Sequence, residues 1–347
     1  MSEQQSQQVT ASEIECIRKQ AHEHLQAKRW SQAGETFLQL LDHNMQDEDA
    51  LLGIAISLDG IGRFESLYAT AQHILEVNPT SALGLAYKAR ALQKLERFSE
   101  ATIANDQALL LDTHLPLAWI NRSGLQLLQQ KFPEALRSAE RAVQLAPGDA
   151  RAWANKGVAL FNLNFLPEAL EAFEQSLAQD EQYLFSLQMK GEALLKLRRM
   201  PEVIATARKA LQVNPTDLAA LTQAAQALRS LELYNSLVEI TKELLKLAPD
   251  NLFAHENYMR GLRGLGRYEE ATEALDRLLE LDATNVRFWT LKADTLYRLE
   301  RYREATRAAE QAVRLDEEYP PARRIREKAV KMMYQKKVRS PRQSSHS

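Results

Sequence analysis

The sequence predicts an all-α fold, a solenoid of stacked helix pairs, on three observations. Only 12 glycines occur in 347 residues, too few for the turns of a strand-rich protein, while Ala, Leu, Glu, Gln, Arg and Lys favour helix along the whole chain. Prolines recur in one register: Pro79 to Pro147 and Pro147 to Pro215 are each 68 residues, and Pro215 to Pro249 is 34. Within each 34-residue unit, apolar residues fall at three- and four-residue spacing over positions 1–14 and again over 18–31, the pattern of two amphipathic helices.

The register needs no insertion from residue 14 to residue 319. Nine units begin at Ile14, Glu48, Ala82, Pro116, Ala150, Leu184, Leu218, Leu252 and Val286. Position 17 is Trp30, Phe64, Phe98, Phe132, Leu166, Met200, Tyr234, Tyr268 and Tyr302. One of positions 8 and 20 is small in every unit: Met259 faces Ala271, and Leu67, Val203 and Leu237 face Ala55, Gly191 and Ala225. That is what a close helix crossing requires. Pro133, Pro167 and Pro201 at position 18 suit the first turn of the second helix, and Pro at 32 ends it.

A 34-residue unit with an aromatic near position 4 (Trp119, Trp153, Trp289), small residues at 8, 20 and 27, Tyr or Phe at 17 and Pro at 32 resembles the tetratricopeptide repeat. The units beginning at Pro116 and Ala150 carry it best, as in Trp153, Gly157, Glu168, Ala169 and Phe173. The resemblance implies a right-handed superhelix of helix-turn-helix repeats with a concave surface that takes ligands, and a non-enzymatic scaffold or adaptor for a partner peptide or helix. The expected organisation is a disordered segment 1–13, nine repeats over 14–319, a polar capping helix over 320–338, and a disordered basic tail 339–347. Ser12 and Glu15 resemble a capping box opening the first helix.

Charge is nearly balanced, 44 Lys and Arg against 46 Asp and Glu. Its distribution is uneven: residues 320–347 carry +8, leaving −10 on the rest. One cysteine, Cys16, excludes an internal disulfide framework and fits a reducing compartment. No basic leader and no run of about 18 apolar residues is visible, so a cytoplasmic location without membrane insertion is expected.

No catalytic constellation, metal site or cofactor motif assembles. Gly261, Gly264 and Gly266 lack a preceding strand and fall at the end of a first helix and its turn. His22 and His24 lie about 160° apart around a helix, which argues against a metal site with Cys16. His255 replaces an aromatic at position 4 and reads as a core residue. Glutamates recurring at position 19 (Glu100, Glu134, Glu168, Glu202, Glu270, Glu304) suit a helix N-terminus.

At 100° per residue, positions 2, 5, 6, 9, 12 and 13 share the face of the first helix opposite positions 4, 7, 8 and 11. In tetratricopeptide proteins that face lines the groove. It offers Leu83, Tyr87, Leu117, Ile120, Leu127, Leu128, Val158, Phe161, Phe185, Met189 and Leu195 in the middle units, with Asn121 and Asn155. Arg229, Asn257, Arg260, Arg263, Arg287 and Arg298 follow in the last three. An apolar stretch on such a face points to partner contact. Packing between neighbouring first helices would account for part of it, and Glu256 and Asp294 are potential mates for the arginines. The carboxylate clamp of chaperone-binding relatives is incomplete, since only Asn121 and Asn155 match its middle element. Lys88, Arg122, Lys156, Lys190 and Lys292 at position 7, where the family prefers Leu, can lay their stems over apolar surface. The alternative reading is an accessory protein meeting nucleic acid or another anionic surface through Arg323, Arg324, Arg326, Lys328, Lys331, Lys336, Lys337, Arg339 and Arg342.

Overall fold

The computed structural model describes residues 11–339, and among them every regular element is an α-helix. They form two compact units that divide between Tyr183 and Leu184. The first contains α1 (Ala11–Gln26), α2 (Trp30–His43), α3 (Glu48–Ile61), α4 (Phe64–Val77) and α5 (Ala82–Lys94). It continues with α6 (Phe98–Leu111), α7 (Pro116–Leu128), α8 (Phe132–Leu145), α9 (Ala150–Asn162) and α10 (Leu166–Gln179). The second contains α11 (Leu184–Lys196), α12 (Met200–Val213), α13 (Leu218–Ser230), α14 (Tyr234–Leu247) and α15 (Leu252–Gly264). It ends with α16 (Tyr268–Leu281), α17 (Val286–Arg298), α18 (Tyr302–Leu315) and α19 (Pro320–Arg339). Each unit is a run of antiparallel helix pairs, and each helix packs on its chain neighbours within the unit.

The start of every second helix is fixed by the same turn. The residue at position 15 has positive φ in all nine pairs: Lys28, Gly62, Glu96, Gln130, Asn164, Arg198, Glu232, Gly266 and Glu300. Position 16 then donates its amide back to the carbonyl at position 11, as Arg97 does to Leu92 at 2.9 Å and Arg301 to Leu296 at 3.0 Å. This is the Schellman ending, which satisfies helix carbonyls that would otherwise be orphaned. Gly266 thus serves the backbone, as its place in the sequence predicts, and seven of the nine turns use a residue with a side chain.

The return turn has its own devices. Asn or Asp at position 31 accepts the amide two residues on, as in Asn78–Thr80, Asp180–Gln182 and Asn214–Thr216, each at 3.1 Å. Position 34 then caps the next first helix, as Asp47, Ser81 and Asn251 do by accepting from Ala50, Gly84 and Ala254. The indoles at position 4 clamp this turn: Trp119, Trp153 and Trp289 donate Nε1–H to the carbonyls of Thr113, Pro147 and Ala283 at 2.8–2.9 Å. His255 makes the same bond to Pro249 at 2.7 Å, so its Nε2 carries the proton.

Positions 8 and 20 are buried throughout, Met259 at 5% exposure included. A Cβ on Gly157 would lie 2.5 Å from the Phe173 ring, which accounts for glycine at this crossing. At the end of the second unit α19 lays Ala322, Ile325 and Ala329 against α17 and α18 and leaves Arg323, Arg324, Lys328 and Lys331 exposed. At the other end the structure corrects one expectation. Residues 11–13 are helical, so Ser12 lies inside α1 and does not cap it with Glu15. Arg339 likewise belongs to α19. The expected disorder of 1–10 and 340–347 falls outside the described residues, as does Arg342.

Candidate functional site

In the first unit the inner faces of α3, α5 and α9 are joined by a charge network. Asp59, at position 12 of its pair, accepts from Arg90 Nε at 3.0 Å and from Arg151 Nη1 at 2.8 Å. The second bond joins residues 92 apart in sequence and three repeats apart in the stack. Arg151 turns its Nη2 and Nε to Asp149, at 2.8 and 3.1 Å, and Asp149 also accepts the Arg151 amide at 2.8 Å. The side chains of Asp59 and Arg90 retain only 10% and 16% of their exposure, so two carboxylates and two guanidiniums sit largely out of water. Such a group is tolerated only with its charges paired.

Around it opens a cavity of about 700 Å³. Its lining includes Lys28, Trp30, Ile56, Tyr87, Asp180 and Tyr183 together with the network residues. Burial raises the Tyr87 hydroxyl well above the ordinary phenol range, and the Asp59 charge adds to this. Burial also raises Tyr183. For Asp149 burial pushes upward, but the Arg151 guanidinium holds the carboxyl below its usual range. Lys94 nearby is lowered by burial and by Arg90. These are the three physical causes of such shifts (desolvation, neighbouring charge, hydrogen bonding) acting in one place.

Of the groove residues read from the sequence, Tyr87 lines this cavity. Leu117, Ile120, Asn121 and Asn257 are buried, with exposures of 8%, 3%, 1% and 1%, and are not open to a partner. The reason is packing between successive first helices. Ile120 packs with Ala142 and Ala152. Asn121 donates to the Ala86 carbonyl of the preceding repeat at 2.8 Å, Asn155 to that of Ile120 at 3.0 Å, and Gln223 to that of Gln188 at 2.9 Å. Position 6 amides therefore pin repeat to repeat. Asn257 bonds within its own helix, to Phe253 at 2.7 Å. Leu83, Leu128 and Phe185 are exposed, and Leu127, Val158, Phe161, Met189 and Leu195 are half-buried. Phe185, Met189 and Leu195 belong to the second unit and the others to the first.

Among the arginines of the second unit, Arg263 and Arg298 both bond Asp294, the mate the sequence offered. Arg298 also donates to the Tyr268 hydroxyl at 3.2 Å, Arg229 stands over the Phe253 ring, and Arg260 and Arg287 are exposed. Position 7 cations cover aromatic surface as expected, Arg122 on Trp119, Lys156 on Trp153 and Lys292 on Trp289. His22 is engaged edge-on with Phe37 and bonds Asp49 at 3.2 Å. Among the described residues no three His, Cys, Asp or Glu side chains gather in a metal-binding arrangement. No described helix is long and apolar enough to cross a membrane.

Asp59, Arg90 and Arg151 are not among the residues that the sequence reading places in the groove. Their positions, 12, 9 and 2, belong to the groove-facing set, and that was the signal available. The glutamates at position 19 have a second role as well. Glu100, Glu202, Glu270 and Glu304 each take a two-pronged bond from the arginine at position 16, such as Arg97 to Glu100 at 2.8 and 2.6 Å.

Stacked helix pairs with one repeated turn define an all-α solenoid. The profile of the tetratricopeptide repeat family matches residues 125–183 and 260–325, and those two stretches carry tetratricopeptide repeats. Among solved structures, that of PilF from Pseudomonas aeruginosa is similar at 21% identity over 60% of this chain and 95% of its own, with a TM-score of 0.52. A chain of the APC/C hetero-tetramer Cut9–Hcn1 is similar at 15% identity over 86% of this chain and 59% of its own, with a TM-score of 0.50. Likeness at these identities is likeness of fold. No curated protein matches the sequence.

Proposed function

We propose that this protein is a non-enzymatic scaffold that holds a segment of a partner protein in the concave face of its first unit. Tetratricopeptide repeats generally mediate protein–protein interaction. The observation that carries the reading here is the 700 Å³ cavity, whose lining combines Trp30, Ile56 and Tyr87 with Arg90, Arg151 and Asp180. Apolar bodies with a few convergent polar groups are what an inserted segment needs. Exposed Leu83 and Leu128 extend apolar surface on the same class of helix positions.

The test is positional. A photo-crosslinking phenylalanine analogue replaces Tyr87 in one variant and Gln72 in another, since Gln72 is exposed on α4, away from the cavity lining. Proteins of the native cell extract should crosslink from position 87 and not from 72. Equal crosslinking from both, or none from 87, would sink the groove reading.

A further inference from the structure

We propose that the Asp59–Arg151 ion pair is a latch across the groove of the first unit, and that an acidic side chain of the bound partner segment competes with Asp59 for Arg90 and Arg151. The competition rests on the groove reading above; the latch stands on geometry alone.

In a stack of helix pairs each repeat contacts chiefly its neighbours, and the array is correspondingly elastic along its length. The helix contacts of the first unit follow that rule, running between adjacent helices and between successive first helices. The Asp59–Arg151 bond does not: it ties α3 to α9 across the helix pair α5–α6 and the pair α7–α8. A tie of that kind sets how far the concave face can open.

The donors at this tie are not all used alike. Arg151 spends its Nη1 on Asp59 and its Nη2 and Nε on Asp149. Arg90 places its Nε on Asp59 at 3.0 Å, and its two other nitrogens have no such bond to the network. Tyr87 and Lys28 line the same cavity. Asp59 therefore sits where an incoming carboxylate would find two guanidiniums ready for it, with a phenol and an ammonium beside them. Asp149 and Asp180 line the cavity too, but both oxygens of Asp59 and of Asp149 are already bonded while Arg90 has donors left over, so a carboxylate is favoured here over an ammonium. A carboxylate arriving from a partner would release Asp59, and with it the restraint between α3 and α9.

The experiment uses the full chain with Cys16→Ser, Gln72→Cys on α4 and Glu171→Cys on α10, both introduced sites being exposed, and reads the distance between attached spin labels. Asp59→Asn should shift the distribution to longer distance and broaden it. Arg151→Met should do the same, and the double variant should open no further, because both remove one tie. Should Asp59→Asn fail to fold, Arg151→Met, at a more exposed side chain, still decides the matter. An unchanged distribution overturns the latch, and no ligand enters that measurement.

The second arm measures binding of deca-glutamate and deca-lysine peptides. Asp59→Asn should bind deca-glutamate roughly tenfold more tightly than the parent, as expected when a competing closed state populated about ten to one is removed, with no gain for deca-lysine. Asp180→Asn changes the cavity's charge equally without touching Arg90 or Arg151. Equal affinities in parent and Asp59→Asn, or the same gain from Asp180→Asn, would overturn the competition.

Discussion

Seven residues with side chains occupy the left-handed turn at position 15, and replacing them with glycine should stabilise the protein. Take Glu96, at φ 61°. An L-residue there is disfavoured by about 1–2 kcal/mol because Cβ crowds the following carbonyl oxygen. Glycine removes that crowding but loses about 0.5–1 kcal/mol more backbone entropy on folding. The difference leaves roughly 0.5–1 kcal/mol in favour of Glu96→Gly. Gln130 and Glu232, at φ 58° and 56°, should behave alike, and sites two or more repeats apart should add. Asn164, at φ 66°, should gain least, since a short amide side chain tolerates this region. Gly62→Ala, at φ 75°, should lose roughly 0.5–1 kcal/mol by the same reasoning reversed. Urea unfolding followed by helical circular dichroism, analysed per unit because long arrays need not unfold in one step, gives the ranking. Destabilisation by Glu96→Gly, together with indifference to Gly62→Ala, would refute the account.

Three further outcomes follow from contacts in the repeats. The Arg97–Glu100 pair holds the Glu100 carboxyl below its ordinary range through the guanidinium's hydrogen bonds. A depressed folded value means the contribution is present above the unfolded carboxylate pKa, about 4.3, and is lost as pH falls through the folded one. A carboxyl NMR titration should therefore move upward for Glu100 in Arg97→Ala; no movement would dismiss the pair. Trp153→Phe keeps the ring and loses the 2.9 Å bond to Pro147, so calorimetry should show a loss of about 1 kcal/mol. Asn105 is 1% exposed and neither of its amide atoms has a protein partner, so Asn105→Ala should raise stability by about 1 kcal/mol, and a clear fall would show that its amide is satisfied after all.

Much of the fold is legible because one spacing repeats without a gap, so each position is read nine times over. Small residues at 8 and 20 and the indoles at 4 declare their packing in this way. The turn at position 15 is different: Lys28, Glu96, Gln130, Asn164 and Arg198 share nothing but polarity, and the left-handed backbone is imposed by the two helices it joins. The groove-facing positions follow from the helix period, but which of them neighbouring repeats bury does not. Ile120 and Leu117, and the amides Asn121 and Asn257, are buried because residues at these positions serve packing as readily as contact. Asp59, Arg90 and Arg151 do not stand out in the sequence, since their pairing joins repeats two, three and five, and no local pattern reports such a contact.

That pairing is poorly explained as a source of stability. Removing four charges from water costs several kcal/mol per ion, and their attraction often only offsets it; apolar residues of similar size commonly do as well or better. The local bond of Arg151 to Asp149 would satisfy both charges without Asp59. Arg90, too, could reach solvent from a more open groove. What the Asp59 carboxylate adds is a fixed separation between repeats two and five, together with a position between two guanidiniums that another carboxylate can contest. If stability were its use, Asp59→Leu with Arg90→Leu, Arg151→Met and Asp149→Asn, which leaves no charge of the network unpaired, should unfold more readily than the parent in urea. If geometry is its use, that quadruple variant should match the parent's stability within about 1 kcal/mol while its spin-label distances spread.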